Sequence, residues 1–203
     1  MSAIEPTRKR LKILGFDDTY LDLIEDFRAP ITYGKIDPEL AMIPNKIKNL
    51  LYEGEIVEKG MEFVFKRGTE EYPMAQTAEG FKKIGIISRL ILNRSITKGS
   101  ILLVDEPEAN LHPKAIIAMA DILFDLSQAG VQVYAATHSY FFLKRIEQLA
   151  RMNDKYVCLA DLRRSPDGVK ATFHDLRHEI PDNPILAQSA YLLNEDIRLD
   201  WGQ

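Results

Sequence analysis

The sequence lacks most of the devices that hold small secreted proteins together. It has a single cysteine, Cys158, so no disulfide can form within the chain. That cysteine stands in the apolar run "YVCLA", which predicts a buried core thiol and fits a reducing, cytoplasmic setting. No run of about 18 apolar residues occurs, so no helix is expected to span a membrane and no membrane partner is expected. The N-terminal "MSAIEPTRKRLK" has no apolar segment of signal-peptide length. Positive charge is not in excess either. A net charge of −4 argues against a broad nucleic-acid footprint. It leaves the short run "RKRLK", Arg8 to Lys12, as a solvated helix face or a local phosphate-contacting patch. No internal repeat and no low-complexity segment is present. A phosphate loop of the form G-x-x-x-x-G-K-[ST] is also missing. The lone Gly-Lys pair, Gly34-Lys35, is followed by Ile36 and has Ala29 where the first glycine belongs.

What is there is an ordinary globular composition, 46% hydrophobic and 28% charged over 203 residues. A chain of that length buries roughly 70% of the surface its unfolded form exposes, so it needs no covalent or metal staples. It makes one sizeable domain or two small ones.

The first fifty or so residues read as helices broken by turns. "DTYLDLIEDFRAP" has helical spacing and stops at Pro30. "DPELAMIPNKIKNLLYEG" opens on Asp37 and Pro38, a cap and a first helical position, and closes at Gly54, with Pro44 expected to kink or divide it. Then the period changes. "EIVEKGMEFVFKRG" predicts a hairpin around Lys59-Gly60, "EEYPM" a loop, and "TAEGFKKIGIISRLILNRS" a helix with Phe81, Ile84, Ile87, Leu90 and Ile91 on one face. From Ser100 onward strands and helices alternate. "ILLV" predicts a short buried strand. "PKAIIAMADILFDLSQAG" is a helix with Pro113 at its start and Gly130 at its end. "VQVYAAT" is the next strand and "SYFFLKRIEQLARM" a helix capped by Ser139. "KYVCLADLRR" is a further strand that "SPDG" turns into "VKATF", and a last helix lies near "NPILAQSAYLLNE". This alternation predicts an α/β fold with a largely parallel sheet flanked by helices, built with right-handed crossovers.

"ILLVDEPEANLHP", Ile101 to Pro113, ends an apolar run on two acids. Open parallel sheets bind ligands outside the carboxyl ends of their strands. Asp105 and Glu106 sit at that end. Such a pair either supports Mg²⁺ and polarises an attacking water, or is a helix-capping acid beside a surface acid. One crossover later "ATHS" brings His138 to the end of its own strand, within reach of a ligand near the acids if the two strands are neighbours.

With these residues in view, "ILLVDEPEANLHP" resembles the Walker B motif and D-loop of ABC-type ATPases, and "YAATHS" resembles their switch-histidine strand. The nearest resemblance is to the RecF/SMC-like and OLD-like AAA ATPases, and it extends from about Glu55 to Ala160. It implies that Asp105 supports Mg²⁺, that Glu106 is the catalytic acid, and that His138 senses the γ-phosphate of ATP. It places Ala109 and Asn110 in a D-loop that crosses a dimer interface. Thr77, Ala78, Glu79 and Gly80 match the signature turn, where Ala78 stands in place of the usual serine and Thr77 or helix-start N–H groups would act instead. It implies the C-terminal part of an ABC ATPase head, with residues 1–54 a helical segment and 55–203 the C-terminal lobe. Partners implied are an ATP-dependent homodimer or a partner supplying the P-loop half, with nucleic acid or an effector protein downstream. The strand bearing the P-loop belongs between "VQVYAAT" and "KYVCLA". Those two strands are expected to close on each other or to take a strand from a partner. The chain would then be a truncated piece, a proteolytic product, a split-gene subunit or a relic. The reading from another class is a non-catalytic interaction module derived from such an ATPase.

Relatives of the OLD type often carry an appended Toprim nuclease, which needs an Asp-x-Asp pair; the sequence has none, so no nuclease centre is expected. "HDLRHE" sets His174 and His178 four residues apart with Glu179 next, but no third ligand has matching spacing, and a solvated strand end accounts for them.

Overall fold

The computed structural model describes residues 18–31, 35–60 and 62–201. The basic run at Arg8 to Lys12 and the glycine of the Gly34-Lys35 pair lie outside the described residues. In chain order the elements are α1 (Asp18–Arg28), α2 (Pro38–Leu50), β1 (Gly54–Lys59), β2 (Glu62–Arg67), β3 (Glu70–Pro73), a 3₁₀ turn (Met74–Gln76), α3 (Glu79–Leu92), β4 (Ile101–Asp105), α4 (Pro113–Gln128), β5 (Gln132–Ala136), α5 (Tyr140–Met152), β6 (Cys158–Ser165), β7 (Gly168–Asp175) and α6 (Pro184–Trp201). They divide into two compact units, Met1–Leu103 with Asp125–Tyr134, and Val104–Phe124 with Ala135–Gln203.

In the first unit α2 begins where Asp37 accepts a hydrogen bond from the Glu39 N–H at 3.0 Å. It is not divided at Pro44. One helix continues to Leu50, with the Pro44 ring buried beside Leu40, Ile43 and Ile47. Burial of that apolar face outweighs the one backbone donor that proline lacks. The antiparallel sheet β1–β2–β3 lies with α2 and α3. "EEYP" is its third strand, not a loop. A two-residue turn with Gly68 at φ 60° reverses the chain, and Tyr72 then faces Phe65 across the pair. Pro73 is tolerated because it ends an edge strand, where no ladder N–H is needed. Gly85 on α3 lets the sheet approach, since a Cβ there would stand 2.7 Å from Ile56 Cδ1.

The polar centre of this unit is Arg89, only 4% exposed. Its Nε donates to the Phe27 carbonyl at 2.8 Å, and its Nη2 to the Ala29 carbonyl at 3.4 Å and to Glu58 at 3.3 Å. The guanidinium stands 4.7 Å from the Phe63 ring centre and 5.6 Å from that of Phe27. One turn later Asn93 donates to the Asp26 carbonyl at 2.5 Å, and Ser95 to the same oxygen at 3.3 Å. The last carbonyls of a helix have no partner within it. Here α3 and the turn after it supply those partners to α1.

β4 and β5 form a two-stranded sheet. Gln132 N–H donates to Ser100 O at one end and Glu106 N–H to Ala136 O at the other, both 2.9 Å, so the strands run in the same direction. The expectation of a largely parallel sheet is corrected here. Among the described residues this is the one parallel pair; β1–β2–β3 and β6–β7 are antiparallel and stand as separate sheets. The strand after α5 joins the hairpin made by "SPDG", so β6 pairs with β7 and not with β5. The expected direct closure of those two strands does not occur. Nor is "ILLV" fully buried. Leu102 and Val104 are half-buried, but Ile101 is 65% and Leu103 75% exposed, as is Tyr134 on β5 at 53%. One face of the pair is bare.

In the second unit Leu143 and Ala150 of α5 pack with Leu176, joined by Ile146, Val157, Leu159, Ile180 and Ile185. The opposite face of the β6–β7 hairpin is uncovered at Leu162, Val169 and Phe173. Cys158 belongs to that face and is exposed, which corrects its expected burial. Among the described residues no helix is long and apolar enough to cross a membrane.

Arg89→Met keeps much of the side-chain volume but leaves the Phe27 carbonyl and Glu58 without the guanidinium donor, and the Ala29 carbonyl with Asn93 Nδ2 alone at 3.4 Å. It is expected to destabilise the protein by about 2–4 kcal/mol, read as a lower urea midpoint at unchanged slope. A loss below about 0.5 kcal/mol would show that solvent replaces the clamp at little cost.

Candidate functional site

The site belongs to the second unit and grows from the loop after β4. Asp105 is the last residue of the strand and Glu106 follows with φ 45°, a left-handed backbone that residues with a Cβ seldom adopt. Both side chains are exposed, and the Glu106 N–H is spent on Ala136 of the neighbouring strand. Two turns follow at once. Ala109 N–H donates to Glu106 O and Leu111 N–H to Glu108 O, each 3.0 Å, with Asn110 between them at φ 63°. Pro107 is fully buried and anchors the loop. The chain enters α4 at Pro113, where His112 Nδ1 accepts from the Lys114 N–H at 3.3 Å.

The end of β5 is fastened to this loop by one carboxylate. Glu108 Oε1 accepts from the Thr137 hydroxyl at 2.8 Å and from the His138 backbone N–H at 2.7 Å. Thr137 Oγ1 in turn accepts from the Ser139 N–H at 3.0 Å, and Ser139 caps α5 by accepting from the Phe142 N–H at 3.3 Å. Glu108 Oε2 is buried and has no hydrogen-bond partner among the described residues. His138 is exposed beside this network. The structure therefore gathers Asp105, Glu106, Asn110 and His138 at two adjacent strand ends. Glu108 and Thr137, which hold them there, were not singled out from the sequence. The available signal was the spacing of a second acid two residues after the first pair and a hydroxyl just before the histidine.

The signature-like residues belong to the first unit. Thr77 is buried and its hydroxyl donates to the Pro73 carbonyl at 3.1 Å. Ala78 precedes α3 and offers no side-chain cap to it; Glu79 is exposed and pairs with Lys82 at 2.5 Å, while Gly80 is buried. No side chain caps this helix start, and Glu79 places a carboxylate in its first turn.

Among the described residues no cluster of three His, Cys, Asp or Glu could hold a metal. Two exposed carboxylates at one strand end fit Mg²⁺ only as it is held in phosphate sites, by one or two carboxylates together with phosphate oxygens and water. No G-x-x-x-x-G-K-[ST] phosphate loop occurs in the sequence to supply those phosphate contacts.

A family model described as "AAA domain, putative AbiEii toxin, Type IV TA system" matches residues 5–144. Among solved structures the chain is similar to the SMC head domain from Thermotoga maritima, at 14% identity and TM-score 0.48 over 74% of this chain and 50% of that one. It is also similar to an SmcHead solved bound to the C-winged helix domain of ScpA, at 13% identity and TM-score 0.51 over 70% of this chain and 43% of that one. The chain thus spans half or less of the length of both heads. The second likeness shows a mixed α/β fold similar to that of the SmcHead. No match was found among curated proteins.

The backbone at Glu106 generates a test of strain. At an ordinary position glycine is less stable than alanine by about 0.5–1 kcal/mol. At φ 45° the order is expected to reverse, with Glu106→Gly more stable than Glu106→Ala by about 1 kcal/mol in thermal unfolding. Equal stability, or a more stable alanine variant, would show that the left-handed turn is not maintained in solution.

Proposed function

The chain belongs to the AAA-domain family whose model covers it, and we propose on that basis that it is the Walker B and signature half of an ATP hydrolase, active when a P-loop half completes it. The observation that carries the reading is the convergence of Asp105, Glu106 and His138 at neighbouring parallel strand ends, joined by the Glu106–Ala136 and Glu108–His138 hydrogen bonds. In this reading Asp105 would hold Mg²⁺, which would supply charge neutralisation for the phosphates, and Glu106 orients the attacking water and takes its proton. His138 donates to the phosphoryl group being transferred. Asn110 lies in the loop that meets a second head, and the α3 start from Thr77 to Gly80 offers N–H groups to the nucleotide held by that head. The bare face at Ile101, Leu103 and Tyr134 supports the same reading, because strands of such sheets are ordinarily covered on both faces. The P-loop half comes from another polypeptide or from a longer form of this one, and the assembled head works as an ATP-dependent dimer on nucleic acid or an effector protein in the cytoplasm.

Completion with a P-loop half gives the test. Glu106→Gln is expected to retain nucleotide while slowing turnover by roughly 10²–10⁴-fold, and Asp105→Asn to weaken Mg²⁺-dependent binding. Unchanged turnover in Glu106→Gln would remove the catalytic role from Glu106. No turnover in any completed head would favour an interaction module in which the acids are remnants.

A further inference from the structure

We propose that Glu108 is the positioning residue of this site, resting on the hydrolase reading above: its carboxylate sets where His138 stands relative to Asp105 and Glu106, without itself touching the reacting atoms. Two donors from the β5 end converge on a single oxygen, Oε1, at 2.7 and 2.8 Å. One donor is a backbone N–H, so the carboxylate fixes the main chain of His138 and not merely a side-chain neighbour. The other, Thr137, passes the constraint on through Ser139 to the first turn of α5. On its own side Glu108 is held by the buried Pro107 and by the turn in which its carbonyl accepts from the Leu111 N–H. The acid loop and the histidine loop consequently cannot shift independently while this carboxylate is in place.

The second oxygen sharpens the argument. Oε2 is buried and has no hydrogen-bond partner among the described residues, an arrangement that costs stability. An apolar side chain would remove that oxygen but leave the Thr137 hydroxyl and the His138 N–H without their acceptor, and a glutamine would put an amide NH2 in its place. Hydrogen bonds to a carboxylate are roughly twice as strong as those to a neutral oxygen. A carboxylate at this position therefore gives the firmest hold on the histidine loop, at the cost of one buried oxygen left unpaired.

The test uses the full chain without nucleotide, so it does not depend on turnover. Amide exchange at His138 and the ring proton signals of the four histidines are compared across variants. Glu108→Ala is expected to speed His138 amide exchange by about tenfold or more, with rates in α3 unchanged, and to move the His138 ring signals alone among the four. Glu108→Gln retains an acceptor oxygen and is expected to fall between wild type and Glu108→Ala. Thr137→Val, which leaves the amide bond in place, is expected to show a smaller change in the same direction, and it serves as the readout if the alanine variant fails to fold. His138 exchange within about twofold of wild type in both the Ala and Val variants would overturn the proposal, as would equal movement of the His112, His174 and His178 signals. The ATPase reading fails separately, through the turnover of completed heads, and its failure would not alter these exchange rates.

Discussion

The second unit depends on a contact between residues that the sequence sets far apart: one carboxylate oxygen of Glu108 holding the hydroxyl of Thr137 and the backbone of His138. The loop carrying it is tight because three of its features agree. Glu106 and Asn110 adopt left-handed backbone, Pro107 is buried, and two successive turns close on their own carbonyls. A loose loop could carry the same acids, but it would pay the ordering entropy each time a ligand arrived. Here that ordering is already built in.

The first unit rests on a different constraint, a buried cation. Arg89 and its neighbours Asn93 and Ser95 take up the carbonyls at the end of α1, so the orphan acceptors of one helix are satisfied by side chains from another. The arrangement positions the hairpin as well, because Glu58 of β1 and Phe63 of β2 close around the same guanidinium. Local helix propensity would hold none of this together; α1 has eleven residues, short of what an isolated helix needs in water.

Much of this fold was legible because its signals are local. The Asp37 and Ser139 caps, the apolar face of α3 and the Lys59-Gly60 turn each depend on residues a few positions apart, and each lies where the pattern puts it. The acids and His138 were legible as strand-end residues for the same reason. Glu108's role was not, because its partners lie 29 and 30 residues away and nothing in "EPEAN" says which side chain turns inward. β3 was missed because a polar edge strand ending in proline looks like a loop. The bare faces were missed because an apolar run such as "ILLV" or "YVCLA" records what a strand would bury, not whether anything in the chain covers it. Ile101, Leu103 and Cys158 are exposed for that reason.

In the hydrolase reading proposed above, the acids and histidine are pre-arranged and the affinity for nucleotide resides in the P-loop half. Most phosphate affinity in P-loop proteins comes from backbone N–H groups and a lysine, whereas carboxylates alone repel a polyanion. Calorimetric titration of the chain with Mg·ATP, alone and after mixing with a polypeptide that carries a strand, a G-x-x-x-x-G-K-[ST] loop and its helix, tests this most directly. The account predicts no measurable heat from the chain alone and saturable binding from the mixture. A micromolar Kd for the chain alone would contradict it.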